Sequence, residues 1–483
     1  MASPFDLHIA IVGAGMGGLG CALSLAKKGF QRIDVYEAAA DLGFVGAGIQ
    51  MAPNMARILD RLGCWAGIEK EATKVKETSV REGSADTELV HVDMGNVRDL
   101  YGYPHCTGHR SSLAGGLYRA CCAEPAVHFH FSTALVGVDR FEPRPVLRLQ
   151  TRTKGGAKPG DGDGGSGHGD ETAAPVFTVE VDVLLGADGI KSATRTALLA
   201  AAPGGPYTTE EADTGQASYR IMLTRDQLVA AHDTELLALL DSDCVVRWIG
   251  PRRHLIAYPV AGKTVYNIST AQPDVHFAAA PSATYTTRGS KSAMLGVFAD
   301  FCPRVQRMLA LVPADEVCEW RLRQHRELPT WVHGAVALLG DACHPTLPHL
   351  SQGAAMAIED GAVLAAVLAR SVPDGPHGNA ATLLPPAELY RRLKTYELLR
   401  KKRTSLLVDM AAHAGRVLHL GEGEARAERD RQFAAHKQDG TTAVPDKWAS
   451  PDVQAMIYAH DCVADAAARF DELYATVGPE AEA

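Results

Sequence analysis

Three glycines in the spacing G-x-G-x-x-G, Gly13, Gly15 and Gly18, follow the apolar run Ile9 to Val12. They open a stretch with Leu19, Ala22, Leu23 and Ala26 at three- and four-residue spacing. Chemically this is a phosphate cradle. The first glycine allows a tight turn, the second lets backbone approach a pyrophosphate, and the third lets helix and strand pack closely. Glu37 ends the next strand, Ile33 to Tyr36, about 20 residues further on, where a carboxylate accepts a ribose hydroxyl. Strand, glycines, helix, strand and acid together predict a dinucleotide site, and the acid disfavours a 2′-phosphate there.

Two more acids follow buried strands. Asp188 lies in Gly186-Ala187-Asp188-Gly189 after "VDVLL", and Asp341 follows Gly340 after "VALL". Strand ends of a doubly wound sheet are where such folds bind ligands. A helix predicted from about 353, beginning with Gly353 and Ala354, would point its positive end into that crevice. Such an end favours an anion by about 0.3–2 kcal/mol, which suits a reduced flavin and favours FAD over NAD at the first site.

Further candidates sit on a different segment. His254, Ile256 and Tyr258 alternate along one predicted strand, so they project from one face. An imidazole and a phenol around an apolar contact suit a small hydroxylated ring. Arg220 can pair with a carboxylate. Gln50 and Asn54 are pocket candidates, although Asn54 would equally cap a helix. His344 reads as loop architecture. Cys106 and His109 stand three apart, but no second ligand pair accompanies them, so no metal is expected.

These residues need elements to hold them. The opening 37 residues read as a βαβ unit, and "IQMAPNMARILDRLG" as a helix from Pro53 to Gly63. "GQASYRIML", "CVVRWIG", "RHLIAYPV" and "TVYNIST" (within 215–271) predict a largely antiparallel sheet. Residues 154–170, rich in Gly and Asp, predict an expanded hairpin loop between the strands 146–151 and 176–186. A soft stretch at 279–292 reads as another loop. After Pro373 come a Pro- and Gly-rich connector and helical patterns over 388–416 and 450–473.

The expected fold class is α/β: a Rossmann-like FAD-binding domain interrupted by a largely antiparallel substrate domain, with a helical C-terminal tail. Residues 1–75, 103–205 and 326–375 are assigned to the first, with 154–170 as a flexible insert. Residues 76–102 and 206–325 form the second, and 376–483 the tail. Composition agrees with a folded chain. The 483 residues are 46% hydrophobic and 22% charged, which excludes a disordered or fibrous protein. A net charge of -9 argues against nucleic acid as a partner. No membrane span and no signal peptide are read, so the expected location is cytoplasmic. The ten cysteines show no CxxC pair and are expected to be reduced and buried.

With "GAGMGG" and Glu37, "GADG" with Asp188 and "GDACHP" with Asp341, the chain resembles the single-component flavoprotein aromatic hydroxylases. This is the family of p-hydroxybenzoate and salicylate hydroxylases. The motifs span 13–361, roughly three quarters of the chain. The resemblance implies FAD held non-covalently, with NADH or NADPH as a visiting reductant and O2 as cosubstrate. It implies that Glu37 binds the adenosine ribose, Arg110 of "GHRSSL" lies along the FAD, and Asp341 holds the ribityl chain. Asp188 and Gly189 would contact FAD, with NAD(P)H as an alternative contact. "GAGIQMAPNMARIL", "YRIMLTRDQL" and "DACHPTLPHLSQGAAMAIEDG" look most like fungal salicylate hydroxylases, and are also similar to 3-hydroxybenzoate and hydroxynicotinate hydroxylases. The matching substrate positions are His254, Tyr258 and His349.

The expected reaction is hydroxylation of a phenolic acid, salicylate first, with loss of CO2 to leave catechol. It needs a base for the phenol, and His254 or His349 fits, with Tyr258 orienting the ring oxygen. The rivals are a larger phenol (a fungal polyketide or plant isoflavonoid), a flavin reductase of isoprenoid chains, and a partner-binding relative of the fold without chemistry. The chain is expected to be a monomer or homodimer.

Overall fold

The computed structural model describes residues 4–43, 47–151, 175–207, 211–275, 286–370, 384–439, 444–448 and 450–478. The 154–170 insert and the connector after Pro373 lie outside these residues. The opening βαβ unit is present as the strand His8–Val12, the helix Met16–Lys28 and the strand Arg32–Tyr36. All five residues of the first strand are buried, as its unbroken apolar pattern requires. Gly29 ends the helix at φ +101°, its N–H donating to the carbonyls of Leu25 and Ala26.

Strand His8–Val12 pairs in parallel with Arg32–Tyr36 on one side and with Val183–Gly186 on the other. The sheet runs in the order 332–333, 336–338, 183–186, 8–12, 32–36 and 127–130. Chain order therefore reverses beside the first strand, and the crevice at the carboxyl ends opens between Val12 and Gly186. "VFTVEVDVLLG" is not one strand but two. Val176–Glu180 pairs with Val146–Thr151, and Val183–Gly186 enters the parallel sheet. The break falls at Asp182, whose carboxylate accepts from the backbone N–H of His8 and from Arg144.

A second sheet has eight strands, in the order 286–288, 318–325, 211–224, 265–273, 253–260, 244–250, 77–82 and 88–93. All neighbours are antiparallel except 244–250 with 77–82. The soft stretch at 279–292 is not all loop. Thr286–Arg288 pairs with 318–320, and Ser290 caps a helix from Lys291 by accepting the Ala293 N–H. Alternation divides the faces of the sheet. Leu255 and Ala257 pack with Trp248, Leu236 and Phe298 under the helices that follow the strands. Ile256 and Tyr258 face the other way, into a cluster with Leu407, Ala414 and Leu418 from the helix Pro386–Leu418 and Trp448 from the segment 444–448.

The tail is mainly helical in its described parts: Pro386–Leu418, Glu424–Asp439, Pro451–Tyr458 and Cys462–Thr476. The single pattern read over 450–473 is broken at 459–461, where Asp461 starts a new helix by accepting the N–H groups of Val463 and Ala464. The tail is locked to the helix Gly353–Leu368 by buried charge. Arg400 reaches Glu359 at 2.8 Å and Asp360 at 2.7 Å. All ten cysteines are free, and only Cys122 and Cys318 are not buried. Among the described residues no helix is long and apolar enough to cross a membrane.

Candidate active site

The first βα turn is built for a ligand's phosphates. A Cβ on Gly13 would lie 2.4 Å from the Ala187 carbonyl oxygen, and one on Gly18 would lie 1.9 Å from that of Gly13. These two glycines let the strand ends and helix touch. Gly15 differs, because a Cβ there meets nothing within 4 Å. The space in front of it is kept open by the fold, and Gly15 lines the main cavity. Glu37 sits beside this turn, its carboxylate accepting the N–H groups of Ala14 and Ala39, both at 2.8 Å.

That cavity, of about 370 Å³, lies between the parallel sheet, the eight-stranded sheet and the helix from Gly353. Its cofactor side carries Gly15, Gly189, Asp341, Gly353, Ala354 and Arg110. The Asp341 side chain opens into it while enclosed by protein, and burial pushes its carboxyl above the usual range. The helix Gly353–Leu368 has no side-chain cap at its start, so its first N–H groups are left for a ligand. Open space at Gly15, an uncapped helix start and the acid Asp341 fit a flavin dinucleotide. Asp188 is engaged within the protein. It accepts from Ser192 at 2.5 Å and from the backbone and hydroxyl of Thr194 at 2.9 and 3.0 Å, anchoring the helix Ala193–Ala201. Arg195 then ties this loop to the next by donating to the carbonyls of Ile190 and Ala342.

The opposite wall carries His254, Ile256 and Tyr258, with Arg220, Arg247 and Gln50. Arg220 lies over the Trp320 ring at 4.5 Å, and burial, reinforced by Arg110, lowers it to about 10. Among the described residues neither Arg110 nor Arg220 forms an ion pair; Asp341 attracts Arg110 from within the same cavity, and Arg220 has the Trp320 face beside it. Gln50 Oε1 accepts from His105 Nε2 at 3.1 Å, and the other ring nitrogen of His105 accepts from the Tyr458 hydroxyl at 3.2 Å. Burial pushes the Tyr258 hydroxyl up, keeping it a donor at neutral pH.

His349 does not belong to the cavity wall. Its ring stands edge-on behind His254, with centroids 5.3 Å apart, and both its nitrogens are buried without a hydrogen bond. Asn54 is also interior, donating to Gln352 and Glu359. It does not cap the helix Pro53–Arg61, whose N-cap is Ala52. His109 caps the helix Arg110–Cys122. Cys343, His344 and Asp360 cluster closely enough for a metal. However, Asp360 is already engaged by His344 at 2.6 Å, Arg400 at 2.7 Å and the Gly340 N–H at 3.0 Å.

Sequence reasoning missed His419, Arg247 and Asp446. His254 Nδ1 lies 2.7 Å from His419 Nε2, and Arg247 lies 2.8 Å from Asp446. Arg247 left a trace, being a charge inside the otherwise apolar "CVVRWIG", which demands a buried partner. His419 and Asp446 left none, since they reach the site only through the packing of the tail. Burial, then the neighbouring His419, His349 and Arg247, holds His254 well below 6.5. It is therefore a neutral imidazole at neutral pH, and a proton taken up on one of its nitrogens is favoured to leave from the other.

Comparison with known proteins adds to this geometry. A family described as FAD binding domain matches residues 6–378. The chain is 29% identical over 462 residues to the FAD-dependent monooxygenase OpS4 of Beauveria bassiana, covering 95% of this chain and 96% of that one. It is 30% identical over 418 residues to a 3-hydroxybenzoate 6-hydroxylase of Klebsiella oxytoca, covering 86% and 89%. A salicylate hydroxylase solved with its substrate superposes with a TM-score of 0.69 at 22% identity, covering 100% of both chains.

Proposed function

The chain belongs to the FAD binding domain family and is an FAD-dependent aromatic-ring monooxygenase, and on that premise we propose that its substrate is a small phenolic acid, salicylate first. The observation that carries this reading is the pair of guanidinium groups, Arg110 and Arg220, in one cavity with His254 and Tyr258. A carboxylate answers the charge, and a phenol answers the imidazole. Salicylate carries both on adjacent carbons, and hydroxylation at its carboxylate-bearing carbon would expel CO2 and leave catechol.

A flavin held at this site would supply the oxidising chemistry, O2 activated with electrons from NAD(P)H for electrophilic hydroxylation of an electron-rich ring. The residues of the chain make the ring electron-rich. Arg220 holds the carboxylate, and Tyr258 donates to the ring oxygen. His254 Nε2, which makes no hydrogen bond among the described residues, takes the phenolic proton. A positioned base is worth about 10²–10⁴-fold. Arg110 and Arg220 favour the resulting phenolate by charge. His349 acts on this reading from behind, fixing the plane of the His254 ring. Glu37, Asp341, Gly353 and Ala354 would hold the flavin nucleotide. Asp188 and Gly189 shape the loop beside it. We assign the parallel sheet and its flanking segments to cofactor binding, and the eight-stranded sheet to the substrate.

The test is oxidation of NADH and of NADPH by the FAD-loaded protein against a panel of phenols, with products identified by mass. The panel includes larger fungal and plant phenols, because the name of OpS4 specifies no substrate. Salicylate should stimulate oxidation and yield catechol. Stimulation only by uncharged or larger phenols would replace the substrate reading.

A further inference from the structure

His254 is not the end of its own chain of contacts. Its Nδ1 faces His419 Nε2 at 2.7 Å, and the two rings are 4.9 Å apart between centroids. At that separation one ring donates and the other accepts, so a single proton is shared between them. His419 is held in place on both sides. Its N–H donates to the Gly415 carbonyl, and its carbonyl accepts from the Arg252 N–H at 2.9 Å. It also ends the helix Pro386–Leu418, whose carbonyl-rich terminus favours a cation. His254 lines the cavity, whereas His419, 9% exposed, is followed closely by the exposed residues 421–423, so the pair runs from the cavity toward the surface.

We propose that His419 is a proton-relay residue, receiving from His254 the proton that leaves the substrate phenol and passing it toward solvent. This rests on the reading of His254 as the base. The phenolic O–H bond breaks and a bond forms to His254 Nε2. The Nδ1–H bond of His254 then breaks as His419 Nε2–H forms, and His419 releases its Nδ1 proton to water. One proton enters and one leaves, the substrate becomes phenolate, and no electron moves.

The surroundings of His254 explain why the charge should move on. Arg247 faces it from the neighbouring strand, paired with Asp446 from the segment 444–448, and His349 faces it from the turn Pro348–Leu350. A cation kept on His254 would be buried beside a guanidinium. His349 offers no alternative path, since neither of its nitrogens has a hydrogen-bond partner. His419 feels Arg247 too, and burial first, then Arg247, lowers it to about 4. It is therefore neutral at rest and able to receive.

The experiment uses the oxidised FAD-loaded protein without NAD(P)H, mixed rapidly with salicylate in weak buffer containing a pH indicator. Wild type should release a proton rapidly on binding. His254→Gln should bind salicylate and release none. His419→Gln should bind with similar affinity but release the proton at least about tenfold more slowly. His419→Ala should regain speed with added imidazole, which a purely structural role would not allow. Release at the wild-type rate in His419→Gln, with none in His254→Gln, overturns the relay and leaves the base standing. Normal release in His254→Gln overturns both. Failure of salicylate to bind wild type overturns the substrate reading and the relay with it.

Discussion

Arg247 Nη1 lies 2.8 Å from Asp446 Oδ2, with the two side chains 4% and 1% exposed. Arg247 belongs to the cavity wall and Asp446 to the C-terminal region, so the tail supplies the counter-charge for one side of the site. Removing one partner of such a pair strands a buried charge. Asp446→Leu should destabilise the protein by about 3–5 kcal/mol in urea unfolding, and Arg247→Met with Asp446→Leu should recover much of that. A double variant no more stable than Asp446→Leu would show that the pair matters through packing alone.

The glycines of the first turn make opposite predictions. Gly18→Ala sets a Cβ against backbone that cannot yield, 1.9 Å from the Gly13 oxygen, and should impair folding itself. Gly15→Ala meets no protein atom within 4 Å, so the protein without FAD should melt as wild type does. Its methyl enters the space kept for the cofactor. FAD affinity, followed by fluorescence titration, should fall about 10–100-fold, equivalent to about 1.4–2.8 kcal/mol. Equal FAD affinity would place the phosphates away from Gly15.

Legibility in the sequence followed locality. The glycine turn, Glu37, Asp341 and the helix from Gly353 were readable because each lies within a short strand–turn–helix segment whose pattern encodes its own geometry. The strand with His254 and Tyr258 was readable by alternation. Asp188 was placed at the right strand end, but its hydrogen bonds to Ser192 and Thr194 depend on the cap of the following helix. His349 illustrates the limit. Its loop was recognised, yet its ring direction is set by Gly415, more than sixty residues away, against which it packs. The wall made by His419 and Asp446 was invisible for the same reason, since no local pattern records which face of a tail helix meets which sheet.

Acid should loosen the tail. Burial opposes ionisation of Glu359, but Arg400 and Arg403 outweigh it and hold its carboxyl at about 2. Asp360 is also held low against burial, by His344 and Arg400. A depressed carboxylate stabilises the fold above its unfolded value of about 4.5, and that stability is lost as pH falls toward about 2. Unfolding free energy measured across that window should fall steeply in wild type and less steeply in Arg400→Met. At neutral pH the same variant should be less stable by about 3–5 kcal/mol. An unchanged acid slope would mean that Arg403 alone holds Glu359.

Gly415 tests whether His349 matters through position. A Cβ there would fall 2.6 Å from both Cδ2 and Nε2 of His349, forcing the ring toward His254. Overpacking of this kind costs about 1–3 kcal/mol. Gly415→Ala should therefore lose that much stability and also lower kcat, because the His254 ring is turned away from the substrate. Gly421→Ala, where nothing lies within 4 Å, is the control in the same region and should change neither. Loss of stability with kcat intact would make His349 a packing residue and leave His254 independent of it.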